Sequence, residues 1–244
     1  MVSATLYNIK KLANQMLDLV FPPACLLCSA PVMVVHSLCS DCWSKITFIS
    51  DPLCSICGVP FPVALEDEHI CYICAENKPI YTMARAVVRF NDTTAQLIHN
   101  FKYYDRMDYA VLMASLMCKY HDAQLYNAQV ITAVPMHPKR LRERQYNQSG
   151  LLAKHIAGII GVRFVPDLLI KTKHTPSQSG LTAEARKENI KDTFIMNPKF
   201  KLRNQRIIMV DDVITTGATM NECARVLASN GNNQAIALAF ARTY

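Results

Sequence analysis

Four C-x-x-C pairs stand out first among the residues that could do chemistry: Cys25/Cys28, Cys39/Cys42, Cys54/Cys57 and Cys71/Cys74. At this cysteine content chance gives on the order of 0.4 such pairs per chain, so four mark a built feature. Two residues between sulfurs let one tight turn present both thiolates to a single tetrahedral ion. Two such turns close a four-sulfur Zn²⁺ site with no open position. Eight thiolates therefore imply two structural Zn²⁺ ions. Sequential pairing, 25/28 with 39/42 and 54/57 with 71/74, makes two small ribbons, and interleaved pairing satisfies the same stoichiometry. The competing reading, a redox dithiol, usually comes singly beside a βα unit. Cys118 and Cys223 lie on expected helices among apolar neighbours and read as small core residues.

A second group is the run RIIMVDDVITTGAT at 206–219. An apolar strand ends in two acids, crosses a Thr/Gly loop and enters a helix at about Ala218. Loop amides and a helix N-terminus form a nest for a phosphomonoester, and Gly217 permits close backbone approach. The hydroxyls of Thr215, Thr216 and Thr219 can donate to the same phosphate, while Asp211 and Asp212 can accept from two vicinal hydroxyls of a sugar. This is not a Walker loop, because no G-x-x-x-x-G-K-[ST] occurs. A third group is Lys139, Arg140, Arg142 and Arg144, four cations in six residues. They can meet a pyrophosphate bidentately, or they can be a solvated basic turn.

The elements that must position these groups follow from periodicity. Leu6, Ile9, Leu12, Ala13, Met16 and Val20 have helical spacing, and Pro22 and Pro23 end that amphipathic helix. From Cys25 to Cys74 the chain is turn-rich and has no periodic run long enough for its own core. After Pro79 apolar runs alternate with helical stretches: strands at 84–90, 130–135, 206–210 and 234–242, helices near 93–101, 109–121, 147–160 and 218–230, and a loop-rich segment near 171–193. Such alternation implies an α/β fold with a mostly parallel sheet and flanking helices. The expected organisation is a helix in 1–24, a double zinc ribbon in 25–78 and an α/β domain in 79–244.

Composition narrows the function classes. The 244 residues are 51% hydrophobic and 18% charged, enough to bury a core. No stretch of eighteen apolar residues occurs, which argues against a spanning helix. Lys10 and Lys11 interrupt the only candidate for a secretory segment, so reduced thiols and a cytoplasmic location are expected. Residues 1–80 hold four Lys/Arg against seven Asp/Glu, a net of −3, and residues 81–244 hold 22 against 12, a net of +10. The α/β part is therefore the half that attracts anions. The ribbons, poor in the Lys/Arg that phosphate binding needs, suit a structural or protein-docking role better than a nucleic-acid one.

At 206–219 the chain resembles the type I phosphoribosyltransferases, whose signature for 5-phosphoribosyl-1-pyrophosphate (PRPP) has this form. With the cysteine module it is similar to the ComF/GntX family over nearly its whole length. The resemblance implies a type I phosphoribosyltransferase fold, PRPP or a ribose 5-phosphate-type ligand, and Mg²⁺ bound with PRPP. It places the phosphate on Thr215, Thr216, Gly217, Ala218 and Thr219, and gives Asp211 and Asp212 the catalytic role of stabilising positive charge at the ribose ring. The segment VPMHPKRLRERQYNQSGLLAK (134–154) matches the pyrophosphate side, with roles for Pro135, His137, Arg140, Arg144, Asn147 and Gln148. Thr175, Gln178, Leu181, Arg186 and Asn189 match a flap that closes over the ligand. The chain departs from the family at Gln145, where Gly is usual. Gln145 would need a positive φ, at a cost of roughly 1 kcal/mol. Two functions follow from the resemblance. One is a PRPP-binding protein of DNA uptake, with partners among single-stranded DNA on the basic domain and proteins of the uptake machinery. The other is an active phosphoribosyltransferase of nucleotide or amine metabolism with no DNA role, for which no acceptor-recognising residues are identifiable.

Overall fold

This computed structural model describes residues 22–63, 69–103, 107–119, 127–175 and 182–244. The expected helix over 6–21 lies outside them. The described chain divides into two compact units, one ending at Ile46 and the other beginning at Thr47. Among the described residues no helix is long and apolar enough to cross a membrane.

The first unit is a ribbon around a short helix, α1 (Ser40–Trp43). An antiparallel bridge joins Ala24 to Pro31, and the Cys25 N–H donates to the Ala30 carbonyl oxygen at 2.7 Å. Its small interior holds Cys25, Leu26, Cys42 and Ile46.

The second unit begins with another ribbon, which contains α2 (Tyr72–Glu76), and continues into the α/β fold. Strands β1 (Met83–Arg89), β2 (Val130–Ala133), β3 (Arg163–Phe164), β6 (Arg206–Ile214) and β7 (Gln234–Arg242) form one parallel sheet in the order β1-β7-β6-β2-β3. Beside it, β4 (Leu169–Lys171) and β5 (Phe194–Met196) make a two-stranded antiparallel hood. Strands β2 and β7 are buried at consecutive positions, as expected for a sheet covered on both faces. The edge of β1 is closed by Thr47–Ile49: the Ile49 N–H donates to Val87 O at 2.8 Å and the Arg89 N–H to Thr47 O at 2.8 Å. Helices α3 (Asp92–Tyr103) and α4 (Met107–Lys119) connect β1 to β2. After β2 come α5 (Pro138–Arg144) and α6 (Gln148–Ile160), then α7 (Ala183–Ile190) inside the hood and α8 (Ala218–Ser229) between β6 and β7.

Two elements differ from the sequence expectation in ways that matter for the site. Strand β6 does not stop at Val210 but runs on through the acid pair to Ile214, because β7 continues alongside it to the pair Ile214↔Arg242. The basic segment after β2 is a helix, not a turn. His137 caps it, its Nδ1 accepting from the Lys139 N–H at 3.2 Å, and Pro138 has its φ set for the first turn. That helix ends on Gln145 with φ +64°, the left-handed conformation that the substitution of the usual Gly demands.

Candidate functional site

The eight paired cysteines form two clusters, Cys25/Cys28/Cys39/Cys42 and Cys54/Cys57/Cys71/Cys74, so the C-x-x-C turns group sequentially. Within each cluster all sulfurs lie within 4.8 Å of one another. A tetrahedral ion with bonds of about 2.3 Å places its sulfurs roughly 3.8 Å apart, so both clusters fit a closed structural Zn²⁺ site. The N–H groups of Cys71 and Cys57 donate to Cys54 Sγ at 3.3 and 3.4 Å. Burial alone would raise the Cys54 thiol; these amides outweigh it and bring it down to about 6, toward the thiolate a metal needs.

The second ribbon is fixed to the sheet by its own backbone. The Ala84 N–H of β1 donates to Ile56 O at 2.6 Å. Arg242, at the end of β7, donates from Nη1 to Cys57 O at 2.7 Å, and Arg85 Nη1 donates to Ser55 O at 3.2 Å. Gly58 has φ +71°, and a Cβ there would lie 2.4 Å from Ala84 O, so only glycine permits this approach.

At the carboxyl ends of β1, β2 and β6 lies a cleft of ≈ 560 Å³, the position where parallel α/β sheets hold ligands. The Thr215–Thr219 loop forms its floor. Gly217 has φ +77° and caps α8, and a Cβ on it would sit 3.2 Å from the Tyr81 hydroxyl. Thr215, Gly217, Ala218 and Thr219 line the cleft. Thr216 does not; it is exposed, and its Oγ1 accepts from the Ala218 N–H at 3.4 Å. Asp211 and Asp212 project from β6 into the same cleft. Ser149 Oγ and the Asp212 N–H both donate to Asp211 Oδ1, at 2.8 and 2.9 Å. Burial, and then the neighbouring Asp212 charge, push the Asp211 carboxyl up to about 7, against these two hydrogen bonds and Lys102.

His137, Arg140 and Arg144 of the α5 segment form one wall, with Lys171 and Arg186 from the hood. The His137 and His174 rings meet edge to face at 5.1 Å. Lys171 donates to Thr175 Oγ1 at 2.9 Å, and burial with the nearby Arg140 lowers its pKa. Asn147 and Gln148 line the cleft but spend their amides on backbone: Asn147 Nδ2 donates to Val134 O at 3.1 Å, and Gln148 Nε2 reaches Lys102 O at 3.4 Å. Asn189 faces a separate groove with Lys173 and Glu188, and Gln178 and Leu181 lie outside the described residues. A larger groove, ≈ 740 Å³, runs past Met196–Asn204 and Asn230–Asn232 at the opposite strand ends, and no acid is among the described residues that line it.

Sequence reasoning missed the wall supplied by α3. Ala95, Ile98, His99 and Lys102, spaced three and four apart, line the cleft from one helix face, beside Phe90. Lys102 Nζ pairs with Asp212 Oδ2 at 2.5 Å. In the sequence it resembles an ordinary solvated cation in the last turn of a helix. Ser149 carried no signal beyond its place at the start of α6.

Residues 16–75 match the double zinc ribbon domain family, and residues 147–242 match the phosphoribosyl transferase domain family. The chain is similar to the DNA utilization protein YhgH of Escherichia coli K12, with 29% identity over 219 residues, 87% of this chain and 94% of that one. Competence protein F of Haemophilus influenzae is 28% identical over 214 residues, 85% and 91% of the two chains. Competence protein ComFC of Bacillus subtilis is 24% identical over 209 residues, 80% of each. The zinc ribbon match covers the cysteine clusters and the phosphoribosyl transferase match covers most of the cleft, and over most of its length the chain is similar to these DNA utilization and competence proteins.

Proposed function

We propose that this chain is a cytoplasmic PRPP-binding protein that serves DNA uptake and natural transformation. The observation that carries the ligand is the convergence, in one cleft, of the Thr215–Thr219 nest, the Asp211/Asp212 pair and the α5 cations. A phosphomonoester fits the nest, vicinal ribose hydroxyls fit the free carboxylate oxygens, and a pyrophosphate fits Arg140 and Arg144. Mg²⁺ carried in with PRPP, as the family resemblance implies, would supply charge neutralisation at the pyrophosphate beside Arg140 and Arg144. The process rests on likeness to two competence proteins and a DNA utilization protein.

Calorimetric titration of the full chain with ribose 5-phosphate and PRPP tests the ligand. Wild type binds both, and Gly217→Val, which forces a branched side chain onto a left-handed residue against Tyr81, abolishes binding while the unfolding transition remains cooperative. Equal binding by the variant places the site elsewhere. A gel-shift series with single-stranded DNA at rising salt tests the process. Binding that fades with salt and weakens in Arg140→Ala/Arg144→Ala supports it. A second reading, phosphoribosyl transfer, draws on Ile190 and Phe194, which line the hood side of the cleft and give an acceptor an apolar wall. Pyrophosphate release in a screen of bases and amines would favour it.

A further inference from the structure

The acid pair is already partly engaged. Asp212 Oδ2 holds the Lys102 ammonium group at 2.5 Å, and Asp211 Oδ1 holds the Ser149 hydroxyl and a backbone N–H. Neither partner of the ion pair is loose, since the Lys102 side chain is 24% exposed and that of Asp212 11%. The end of α3 that delivers Lys102 is pinned from the α6 side. The Tyr146 hydroxyl donates to Phe101 O at 2.7 Å, Gln148 Nε2 reaches Lys102 O at 3.4 Å, and the Phe101 ring is fully buried. Among the described residues, five Lys/Arg side chains, Lys102, Arg140, Arg144, Lys171 and Arg186, line the cleft against two acids. A dication approaching Asp212 therefore meets a carboxylate that is already neutralised, inside a wall of positive charge. The same wall suits a polyanion that brings no counter-charge of its own.

We propose that Lys102 is the resident cation of the ribose subsite, standing at Asp212 where a divalent metal would bind, so that the cleft takes a pyrophosphorylated sugar phosphate without Mg²⁺. The inference rests on the reading of the cleft as a PRPP-type site and specifies how that site manages charge. Lys102 is a positioning residue here: it holds Asp212 oriented toward the sugar hydroxyls and neutralises it as the anion enters.

The test is calorimetric titration of the full, zinc-loaded chain with PRPP, once in Mg²⁺-free buffer without chelator and once in excess Mg²⁺. Wild type binds in both, with affinities within about three-fold, since a metal adds little where a charge-assisted pair already exists. Lys102→Met loses about ten-fold or more without Mg²⁺ and recovers with it, and Lys102→Arg stays close to wild type without Mg²⁺. Mg²⁺ titrated alone binds Lys102→Met and not wild type, a readout that needs no sugar ligand and that misfolding cannot produce. Wild-type binding that requires Mg²⁺ overturns the inference and leaves the PRPP reading standing. So does Mg²⁺-free binding by Lys102→Met equal to wild type. No PRPP binding under either condition overturns both.

Discussion

The two cysteine clusters share one ligand chemistry but have different surroundings. In the first, Cys28 is exposed and Cys39 half-buried, and the ribbon forms a compact unit ending at Ile46. Its tip carries Met33, Val34 and Val35 in the open, Met33 at 97% exposure. In the second, Cys54, Cys57 and Cys74 are buried in the same apolar core as Ala84, Ala86, Ala237 and Ala239 of the sheet. A metal there fixes the turns against which β1 and the end of β7 are packed. Ligand spacing thus identifies a zinc site without saying how much of the protein depends on it. That dependence lies in contacts far apart in sequence, such as Arg242 on the Cys57 carbonyl.

The largest expected effect separates the clusters directly. Cys57→Ser removes a buried ligand and leaves three thiols without a closed site. Structural zinc contributes about 10–16 kcal/mol of binding free energy to isolated fingers, comparable to the whole stability of a unit of this size. The cooperative melt of the Thr47–Tyr244 unit should vanish, as judged by circular dichroism. Cys28→Ser should lower zinc content by one ion in metal analysis and leave that melt and PRPP affinity unchanged. Equal effects from the two variants would erase the distinction.

A smaller perturbation reaches the attachment without touching a ligand. Gly58→Ala sets a Cβ against the Ala84 carbonyl at a left-handed residue and should cost about 1–3 kcal/mol, seen as a lower midpoint in denaturant. Zinc content should stay the same.

The smallest effect is confined to the cleft and should leave both clusters alone. With its pKa near 7, Asp211 favours the folded state in its protonated form. That contribution is present below the ordinary carboxylate range and is lost as pH rises through about 7. Asp211→Asn keeps an oxygen for Ser149 and never ionises. It should melt roughly 2–4 °C above wild type on the alkaline side, about 1 kcal/mol for a unit of this size, with the gap closing as pH falls.

What could be read from the sequence divides along the same line. The cysteine pairs, the 206–219 loop and strand β7, found at its expected 234–242, announce themselves through local spacing and periodicity. Gln145 was legible as a residue needing positive φ because its neighbours matched a pattern with Gly in that place. The extension of β6 to Ile214 was hidden because acids in a strand are stabilised only by the facing β7 backbone. Helix α5 was hidden because a run of arginines reads equally as turn or helix until its His137 cap is seen. The compositional change at Pro79 pointed to a boundary there, whereas the second ribbon packs with the sheet through Ala84, Arg85 and Arg242. Lys102 was silent because its partner, Asp212, lies on a strand the chain reaches only much later.

The central claim, that one zinc cluster is part of the ligand-binding unit and the other is not, is tested most directly by graded chelation. Zinc released and PRPP affinity would be measured on the same samples. The exposed Cys28 cluster should give up its metal first with PRPP affinity unchanged, and loss of the second metal should abolish binding together with the cooperative melt. PRPP binding that disappears with the first zinc, or survives the loss of both, would contradict the account.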